Sequence, residues 1–306
     1  MKQEKNKWWE SIKVIIMLAI VSFIVASFIS YISGTELQEG NVALIPIKGV
    51  ITSEKVKAFG QSIASSQTIV EFIEEADKNS KVKAIILEIN SPGGSPVATE
   101  EIANAIERVN KTTVAWIREV GASGGYWIAA STDTIVASRM SITGSIGVIA
   151  SYLDFSGFLE DHNVSYERMV AGQYKDIGSP FKPMSMQERK MFQDQLDSLH
   201  SYFIKSIAKN RDLPEEEVRE IATGMFYLGE EAKNLGLVDI LGGKEDAKGV
   251  IEEELNITVE LIEYKEEKTL LDVLSEIFSE QSFYVGRGIG ESVFDARASN
   301  KIELWT

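Results

Sequence analysis

Short apolar runs alternate with segments of helical periodicity along the middle of the chain. The runs have the length of buried strands, and they lie at Val42–Ile47, Lys83–Ile89, Thr113–Ile117 and Thr134–Ala137. Apolar residues recur at helical spacing in three segments between or after them, which are Thr68–Lys78, Thr99–Val109 and Tyr126–Ala130. Thr99 is the expected N-cap of the second helix. This alternation predicts βαβ units, and therefore an α/β fold whose mostly parallel sheet is covered by helices.

The later part of the chain is predicted to be mainly helical. Ser185 and Glu188 have the spacing of a capping box at the start of one helix. Pro214–Ala222 begins with the proline and acidic residues typical of a second helix. Asn256–Ile262 has the pattern of a final strand, and the tail after it has the spacing of an amphipathic helix in part.

The longest apolar segment lies near the N-terminus, at residues 14–32, and contains no charged residue. As a helix it would be about 28 Å long, close to the hydrocarbon thickness of a bilayer. Lysines precede it, whereas Glu36 and Glu39 follow it, so the positive-inside rule predicts a single-pass cell-membrane protein with a cytoplasmic N-terminus. A cleaved signal peptide is the alternative, but the run is longer than a usual signal-peptide core and lacks an A-x-A site.

These segments predict the organisation of the whole chain. It comprises a cytoplasmic N-terminus (1–13), a transmembrane signal anchor (14–32), a linker (33–40), an extracytoplasmic folded domain (41–265) and a C-terminal tail (266–306).

Composition excludes several classes of function. The net charge of −15 disfavours binding to phosphate backbones, so nucleic acid is not an expected partner. Cysteine is absent, which excludes disulfides, thiolate nucleophiles and thiolate metal ligands. With only two histidines and no H-E-x-x-H motif, we expect neither a metal nor another cofactor.

A glycine-rich segment, Gly121–Trp127, follows a predicted strand and begins a predicted helix around one serine, Ser123. Glycine permits a tight turn and the close approach of a substrate backbone. The N–H groups and positive dipole end of a helix N-terminus favour a developing oxyanion. Ser123 is therefore a candidate nucleophile, although spacing alone also fits a turn that only packs tightly.

The same segment matches the G-x-S-x-G nucleophile elbow of α/β-hydrolases. This alternative is an esterase that uses His162 or His200 as its base. His200 lies within a predicted helix, and His162 lies far before the C-terminal position that this fold gives its histidine.

A second glycine site, Asn90–Gly94, follows the strand Lys83–Ile89. Ligand sites in open α/β sheets form at such strand ends. The amides of Gly94 and Gly124 could bind one oxyanion from two turns, although an ordinary Pro-Gly turn also fits the sequence.

Four motifs together resemble the signal peptide peptidase A family of serine proteases. They are NSPGG (90–94), ASGGYWIAAS (122–131), TGSIGV (143–148) and YKDIGSP (174–180). They occur in the family's order, and the resemblance extends over roughly residues 41–262.

The resemblance implies a role for each matching residue. The nucleophile is Ser123, the general base is Lys175, the oxyanion donors are the amides of Gly94 and Gly124, and the Ser145 hydroxyl orients the lysine. It also implies a ClpP/crotonase-like spiral of βαβ units, a ring- or dome-shaped homo-oligomer and a membrane anchor. The expected substrates are signal peptides or other apolar membrane-associated peptides.

A lysine that acts as a general base must have an uncharged amine. An exposed lysine amine is protonated at neutral pH because its pKa is near 10.4, and loss of hydration favours the neutral base. The adjacent carboxylate of Asp176 would oppose this, so we expect it to point away from Lys175, toward a backbone turn.

Two other functions fit the same residues. One is a related serine–lysine membrane protease, of the kind partnered with stomatin-like proteins, that cleaves an intact membrane protein. The other is a non-catalytic crotonase-like scaffold at the membrane.

Overall fold

The computed structural model describes residues 2–32, 40–54 and 62–265. Contacts divide the chain into two units, residues 1–264 and 265–306, and the elements named below lie in the first. The predictions for most of the linker and for the tail 266–306 fall outside the described residues.

The described helices are α1 (Lys2–Ile32), α2 (Ser66–Lys78), α3 (Pro96–Glu107), α4 (Gly124–Ala130), α5 (Ser156–Asp161), α6 (Met186–Arg211), α7 (Glu215–Ile221), α8 (Gly229–Asn234) and α9 (Lys244–Leu255). The described strands are β1 (Val42–Lys48), β2 (Val50–Thr52), β3 (Ile63–Ser65), β4 (Ala84–Ser91), β5 (Thr112–Ala122), β6 (Thr134–Ala137), β7 (Ile142–Gly144), β8 (Phe226–Leu228), β9 (Ile240–Leu241) and β10 (Leu261–Glu263).

The main sheet is largely parallel, as the sequence predicts. Its order is β10–β1–β4–β5–β6–β9, and each of these neighbours is parallel. Strand β7 extends the C-terminal end of β5 in parallel, and β8 pairs with β7 in the antiparallel direction. Strands β2 and β3 form a separate parallel pair. This mixed α/β fold with its parallel-rich sheet fits the expected ClpP/crotonase-like spiral.

Both faces of the central strands are buried, which explains why these strands are almost continuously apolar. In β4, Ile85, Leu87 and Ile89 join the larger hydrophobic cluster on one face. Ala84 and Ile86 join a smaller cluster on the opposite face, together with Ala247 and Ile251 of α9. Because side chains alternate along a strand, one sequence run supplies both layers of the core.

The ends of two helices test the capping predictions. Helix α3 begins earlier than expected, with Ser95 at the N-cap and Pro96 inside the first turn, so the prediction of Thr99 as N-cap is wrong. Proline is favoured at the first helical position, and the Thr99 hydroxyl instead donates to Ser95 O at 2.9 Å. At α6 the capping box of Ser185 and Glu188 is confirmed.

Helix α1 contains the apolar segment near the N-terminus. Within the described ranges, no helix combines the length and apolarity required to cross a bilayer. The transmembrane anchor at residues 14–32 therefore remains a prediction.

Candidate active site

Two glycine-bearing turns meet at one edge of the sheet. Strands β4 and β5 are parallel neighbours, with Ser91 opposite Gly121, so the turns that follow them lie side by side. A Cβ added at Gly93 would lie 2.7 Å from the nitrogen of Gly124 and 2.9 Å from Cβ of Ser123. Only glycine therefore fits at Gly93 without displacing the turn that carries Ser123.

Ser123 occupies a sharp turn between β5 and α4. Its φ of 52° and ψ of −122° are unusual for a residue with a side chain. The Ser123 amide donates to Gly144 O at 2.8 Å, and its carbonyl accepts from the amides of Tyr126 and Trp127 at 2.9 and 3.0 Å. Three backbone hydrogen bonds thus hold a conformation that the isolated residue disfavours, as at strained functional turns.

The amides of Gly94 and Gly124 are suited to binding an oxyanion. Gly124 is the first residue of α4, where an amide has no acceptor within the helix. Gly94 lies between two residues that are hydrogen-bonded to Ile51. Ile51 N donates to Gly93 O, and Ser95 N donates to Ile51 O, both at 2.9 Å. Among the described residues, neither glycine amide has a hydrogen-bond acceptor. Such preformed donors stabilise the negative charge of a tetrahedral intermediate.

Ser145 follows β7 and lies close to the same edge, because β7 ends beside β5 at the pair Ala122 and Gly144. Its φ is 50°, its amide donates to Met225 O at 2.9 Å, and its hydroxyl donates to Gly224 O at 3.2 Å. The hydroxyl is thus bound to a backbone carbonyl, and its predicted role in orienting a lysine remains a prediction.

Lys175 lies in an exposed turn, where its amide donates to Gly172 O at 3.1 Å. The hydroxyl of the preceding residue, Tyr174, accepts from Gln187 Nε2 of α6 at 2.7 Å. In the described part of the chain, no hydrogen bond or ion pair joins the Lys175 side chain to Ser123 or to any other residue. The structure brings Ser123, the two glycine turns and Ser145 together, and it shows no bond from Lys175 to this group.

The Asp176 carboxylate is bound by Arg168 rather than by its neighbour Lys175. Arg168 Nε and Nη2 donate to it at 2.5 and 2.8 Å, and Lys182 Nζ lies 3.9 Å away. The hydrogen bond from Arg168 lowers the pKa of Asp176 below its ordinary value. The prediction that Asp176 is directed away from Lys175 is consistent with these partners, and the carboxylate is bound mainly by the Arg168 side chain, with a weaker hydrogen bond from the Asp176 backbone.

Lys182 continues this network to α6. Its Nζ lies 2.6 Å from the Glu188 carboxylate, which also accepts from the amide of Ser185 at 2.8 Å. The pKa of Glu188 falls to about 2 because Lys182 and Ser185 both donate to its charged form. The segment around Lys175 is therefore tied to the start of α6 by charge pairs.

The two histidines do not form a triad with Ser123. His162 Nδ1 lies 2.8 Å from Phe158 O, and its ring stacks on the ring of Phe158. His200 Nε2 lies 3.3 Å from Ile146 O. Each histidine thus has a ring nitrogen bonded to the backbone, which gives no support to the α/β-hydrolase alternative.

Among the described residues, no three histidine, cysteine, aspartate or glutamate side chains lie close enough together to hold a metal ion.

The segment Gly224–Leu228 is a part of the site that no sequence motif indicates. It supplies the acceptors for Ser145 and pairs with β7 through Thr143 and Tyr227. The Tyr227 ring packs so closely on Gly144 that a Cβ there would lie 2.7 Å from it. Because the segment is short and lies far along the chain from Ser145, no local pattern predicts this contact.

Two known protein families match the region of the chain that contains this site. Residues 105–258 match peptidase family S49, and residues 44–158 match the N-terminal domain of NfeD1b. The first match covers half of the chain and contains Ser123, Ser145 and Lys175.

Individual proteins give the same assignment. A Methanocaldococcus jannaschii protein, named provisionally as a protease, is 34% identical over 80% of each chain. An Enterococcus faecium protein, named provisionally as signal peptide peptidase SppA, is 34% identical over 76% of this chain and 70% of its own.

Among solved structures, a serine-to-alanine mutant of the 1510-N membrane-bound stomatin-specific protease matches 75% of this chain and 100% of its own, at 16% identity and a TM-score of 0.48. A likeness of this size carries no argument about function. From the family match and the two relatives, the chain belongs to peptidase family S49 and is a protease of the SppA family.

Proposed function

We propose that this protease is a membrane-anchored serine endopeptidase in which Ser123 is the nucleophile and Lys175 is the general base. The observation that carries the proposal is the strained turn at Ser123, at the N-terminus of α4 and in contact with the Gly93 turn. A serine at such a turn presents its hydroxyl beside amides that lack acceptors, which is the arrangement that acyl transfer requires.

The reaction follows from these groups. The Ser123 hydroxyl attacks the scissile carbonyl while a neutral Lys175 amine accepts its proton. The Gly94 and Gly124 amides stabilise the oxyanion of the tetrahedral intermediate. The protonated lysine then donates to the leaving amine, and water hydrolyses the acyl-enzyme with the lysine again acting as base.

The exposure of Lys175 supports assembly of the site from more than one copy of the chain. Its neighbours Tyr174 and Asp176 are bound to Gln187 and Arg168, so the turn is held while the lysine itself faces outward. Large apolar side chains are exposed along the segment leading to this turn, with Ile149 at 87%, Leu153 at 70% and Met169 at 93%. An apolar surface of this kind is typical of an interface.

We therefore propose that a second copy covers this segment and places Lys175 beside the partner's nucleophile. Burial at that interface would remove water from the amine and favour its neutral form. A homo-oligomer is then a requirement of the chemistry.

We also propose that residues 14–32 anchor the protein in the cell membrane, with the catalytic domain outside the cytoplasm. The apolar side chains of α1 that the structure describes, such as Ile15 and Phe23, are exposed, and the sequence 14–32 contains no charge. An anchored site would meet apolar peptides released in the membrane, and one relative is named as a signal peptide peptidase. We propose signal peptides and similar apolar peptides as the substrates.

Active-site labelling tests the nucleophile directly. The full chain in detergent should react with a fluorophosphonate at Ser123, and Ser123→Ala should abolish both labelling and peptide hydrolysis. Ser131→Ala is the matched control, because its hydroxyl lies at the other end of α4 and donates to Trp127 O. Labelling that persists in Ser123→Ala, or hydrolysis that survives it, would refute the proposal.

The substrate class requires a separate experiment in cells. Cells whose only copy of the protein carries Ser123→Ala should accumulate signal peptides in their membranes. Accumulation of an intact membrane protein instead would favour the stomatin-partnered type of protease.

A further inference from the structure

A buried serine in the first glycine turn is placed to control one of the two oxyanion donors. Ser91 ends β4 and is fully buried. Its hydroxyl donates to Gly49 O at 2.6 Å and accepts from the Gly93 amide at 3.1 Å. The hydroxyl thus joins two separate turns, the one between β1 and β2 and the one that bears Gly94.

The direction of the Gly94 amide depends on these bonds. The described peptide bonds are all trans, so the carbonyl and the N–H of the Gly93–Gly94 peptide point in opposite directions. Ile51 N binds that carbonyl at 2.9 Å, which directs the Gly94 N–H away from β2. Gly93 has a φ of 98°, and glycine resists rotation less than any other residue, so the turn needs external bonds to stay in one conformation.

Ser91 supplies the bond on the other side of Gly93. With the Gly93 amide bound to Ser91 and the Gly93 carbonyl bound to Ile51, both peptide planes of this glycine are fixed. The bond from Ser91 to Gly49 also holds the start of β2, the strand that contains Ile51. Removal of the hydroxyl would therefore free the Gly93 amide and loosen the Gly49 turn, and would leave the bond from Ile51 N to Gly93 O as the remaining restraint on the Gly94 amide.

We infer that Ser91 is a positioning residue that holds the Gly94 amide in the orientation required to bind the oxyanion. This inference rests on the proposed serine-protease mechanism, and it adds a fully buried residue whose hydroxyl bonds to Gly49 and Gly93. It predicts a specific kinetic signature, because an oxyanion forms only in the transition state and not in bound substrate.

The test compares Ser91→Ala with wild type in the full-length protein. We expect kcat for a fluorogenic peptide to fall about 10- to 100-fold while KM changes by less than about twofold, since complete loss of an oxyanion donor costs about 10²- to 10³-fold. A peptide aldehyde, which forms a hemiacetal with Ser123 and presents its oxygen to the donors, should bind more weakly by a similar factor.

Two further variants separate positioning from folding. Ser91→Cys keeps the buried volume but replaces the hydroxyl by a weak donor and acceptor, so it should lose kcat even if Ser91→Ala does not fold. Thr132 follows the C-terminal end of α4, and its buried hydroxyl donates to Ala129 O at 2.8 Å. Thr132→Val removes this hydroxyl and should leave kcat unchanged.

The outcomes also distinguish this inference from the proposed function. If hydrolysis requires Ser123 and Lys175 but folded Ser91→Ala or Ser91→Cys retains wild-type kcat, the inference about Ser91 is wrong and the mechanism stands. If wild-type hydrolysis does not depend on Ser123, the proposed function itself is wrong. A rise in KM for Ser91→Ala without a fall in kcat would also contradict the positioning role.

Discussion

The two halves of the proposed dyad lie in regions built in opposite ways. Ser123 follows a central strand of a parallel sheet, and its backbone N–H and C=O are both hydrogen-bonded. Lys175 lies in an exposed turn whose order comes from ion pairs and side-chain bonds of its neighbours. The proposed nucleophile and oxyanion donors are therefore held by the fold of one chain, whereas the side chain of the proposed base has no bonded partner among the described residues.

This difference indicates which part of the reaction the fold controls by itself. Acylation by a very electrophilic reagent depends mainly on Ser123 and the glycine amides, whereas peptide hydrolysis also needs a neutral amine at the hydroxyl. Under the proposed mechanism, the chain would keep Ser123 ordered and remain inactive until a second copy supplies Lys175.

The largest effect should come from the prepared region. Ser123→Ala removes the nucleophile, and we expect peptide hydrolysis to fall by at least about 10⁴-fold without loss of folded protein. Initial-rate assays and thermal unfolding of the purified full chain measure the two quantities. Residual activity close to wild type would show that another group attacks the substrate.

Lys175→Ala should have the next largest effect on activity and almost none on stability. Loss of the general base is expected to lower kcat about 10²- to 10⁴-fold. The side chain is exposed, so the unfolding temperature should match that of wild type. Lys205→Ala, another exposed lysine, provides the matched control and should keep full activity.

Mixing the two inactive variants tests the comparison itself. If each site combines the serine of one copy with the lysine of another, oligomers that contain both Ser123→Ala and Lys175→Ala subunits should regain part of the activity. Complete absence of recovery in verified mixed oligomers would place both groups in the same chain.

Gly93→Ala should damage the prepared region while leaving the Lys175 turn intact. The added methyl group would press on Gly124 N and on Ser123 Cβ, and alanine at a φ of 98° is strained. We expect a loss of about 1–3 kcal/mol in the free energy of unfolding and about 10-fold or more in kcat. Gly157→Ala, where no atom lies within 4 Å of the new Cβ, should be close to neutral in both assays.

The smallest effect is expected at Glu188, which helps to hold the Lys175 region. Its pKa is about 2 in the folded chain, below the ordinary 4.5, so its stabilising effect is fully present above about pH 4.5 and is lost as pH falls through 2. Glu188→Gln should therefore lower the midpoint of thermal unfolding at neutral pH. The difference in this midpoint between the variant and wild type should become smaller as the pH falls. Glu230→Gln, an exposed glutamate, should show no such difference. A gap for Glu188→Gln that stays constant down to pH 2 would contradict the role of its charge.

Much of the fold could be predicted because its long elements have strong patterns. Strands β1, β4 and β6 and helices α2, α4 and α7 lie close to their predicted positions, and β5 begins where predicted but continues past Ile117 to Ala122. The short strands β2, β3, β7, β8 and β9 were not predicted, because two or three residues have no measurable period. They exist through pairing with distant segments, and β7 and β8 complete the surroundings of Ser145.

The candidate site also has a part that the predicted strands place and a part that they do not. Ser123 and the glycines follow predicted strands, so the parallel sheet by itself brings their turns together. The relation between Ser123 and Lys175 could not be predicted from spacing, because Lys175 belongs to an irregular segment that no strand places against the sheet. The positioning role inferred for Ser91 also lay beyond the sequence, since it depends on a contact with Gly49.

The backbone at Ser123 has a consequence for how this protein can be improved. A residue with a side chain at φ 52° raises the free energy of the native state by an amount on the order of 1–3 kcal/mol, and glycine would relieve most of it. Selection for heat resistance alone would thus favour replacement of Ser123, the proposed nucleophile, by glycine. Any programme that screens variants of this chain for stability should retain an activity screen at every round, because its most robust variants are expected to include inert ones.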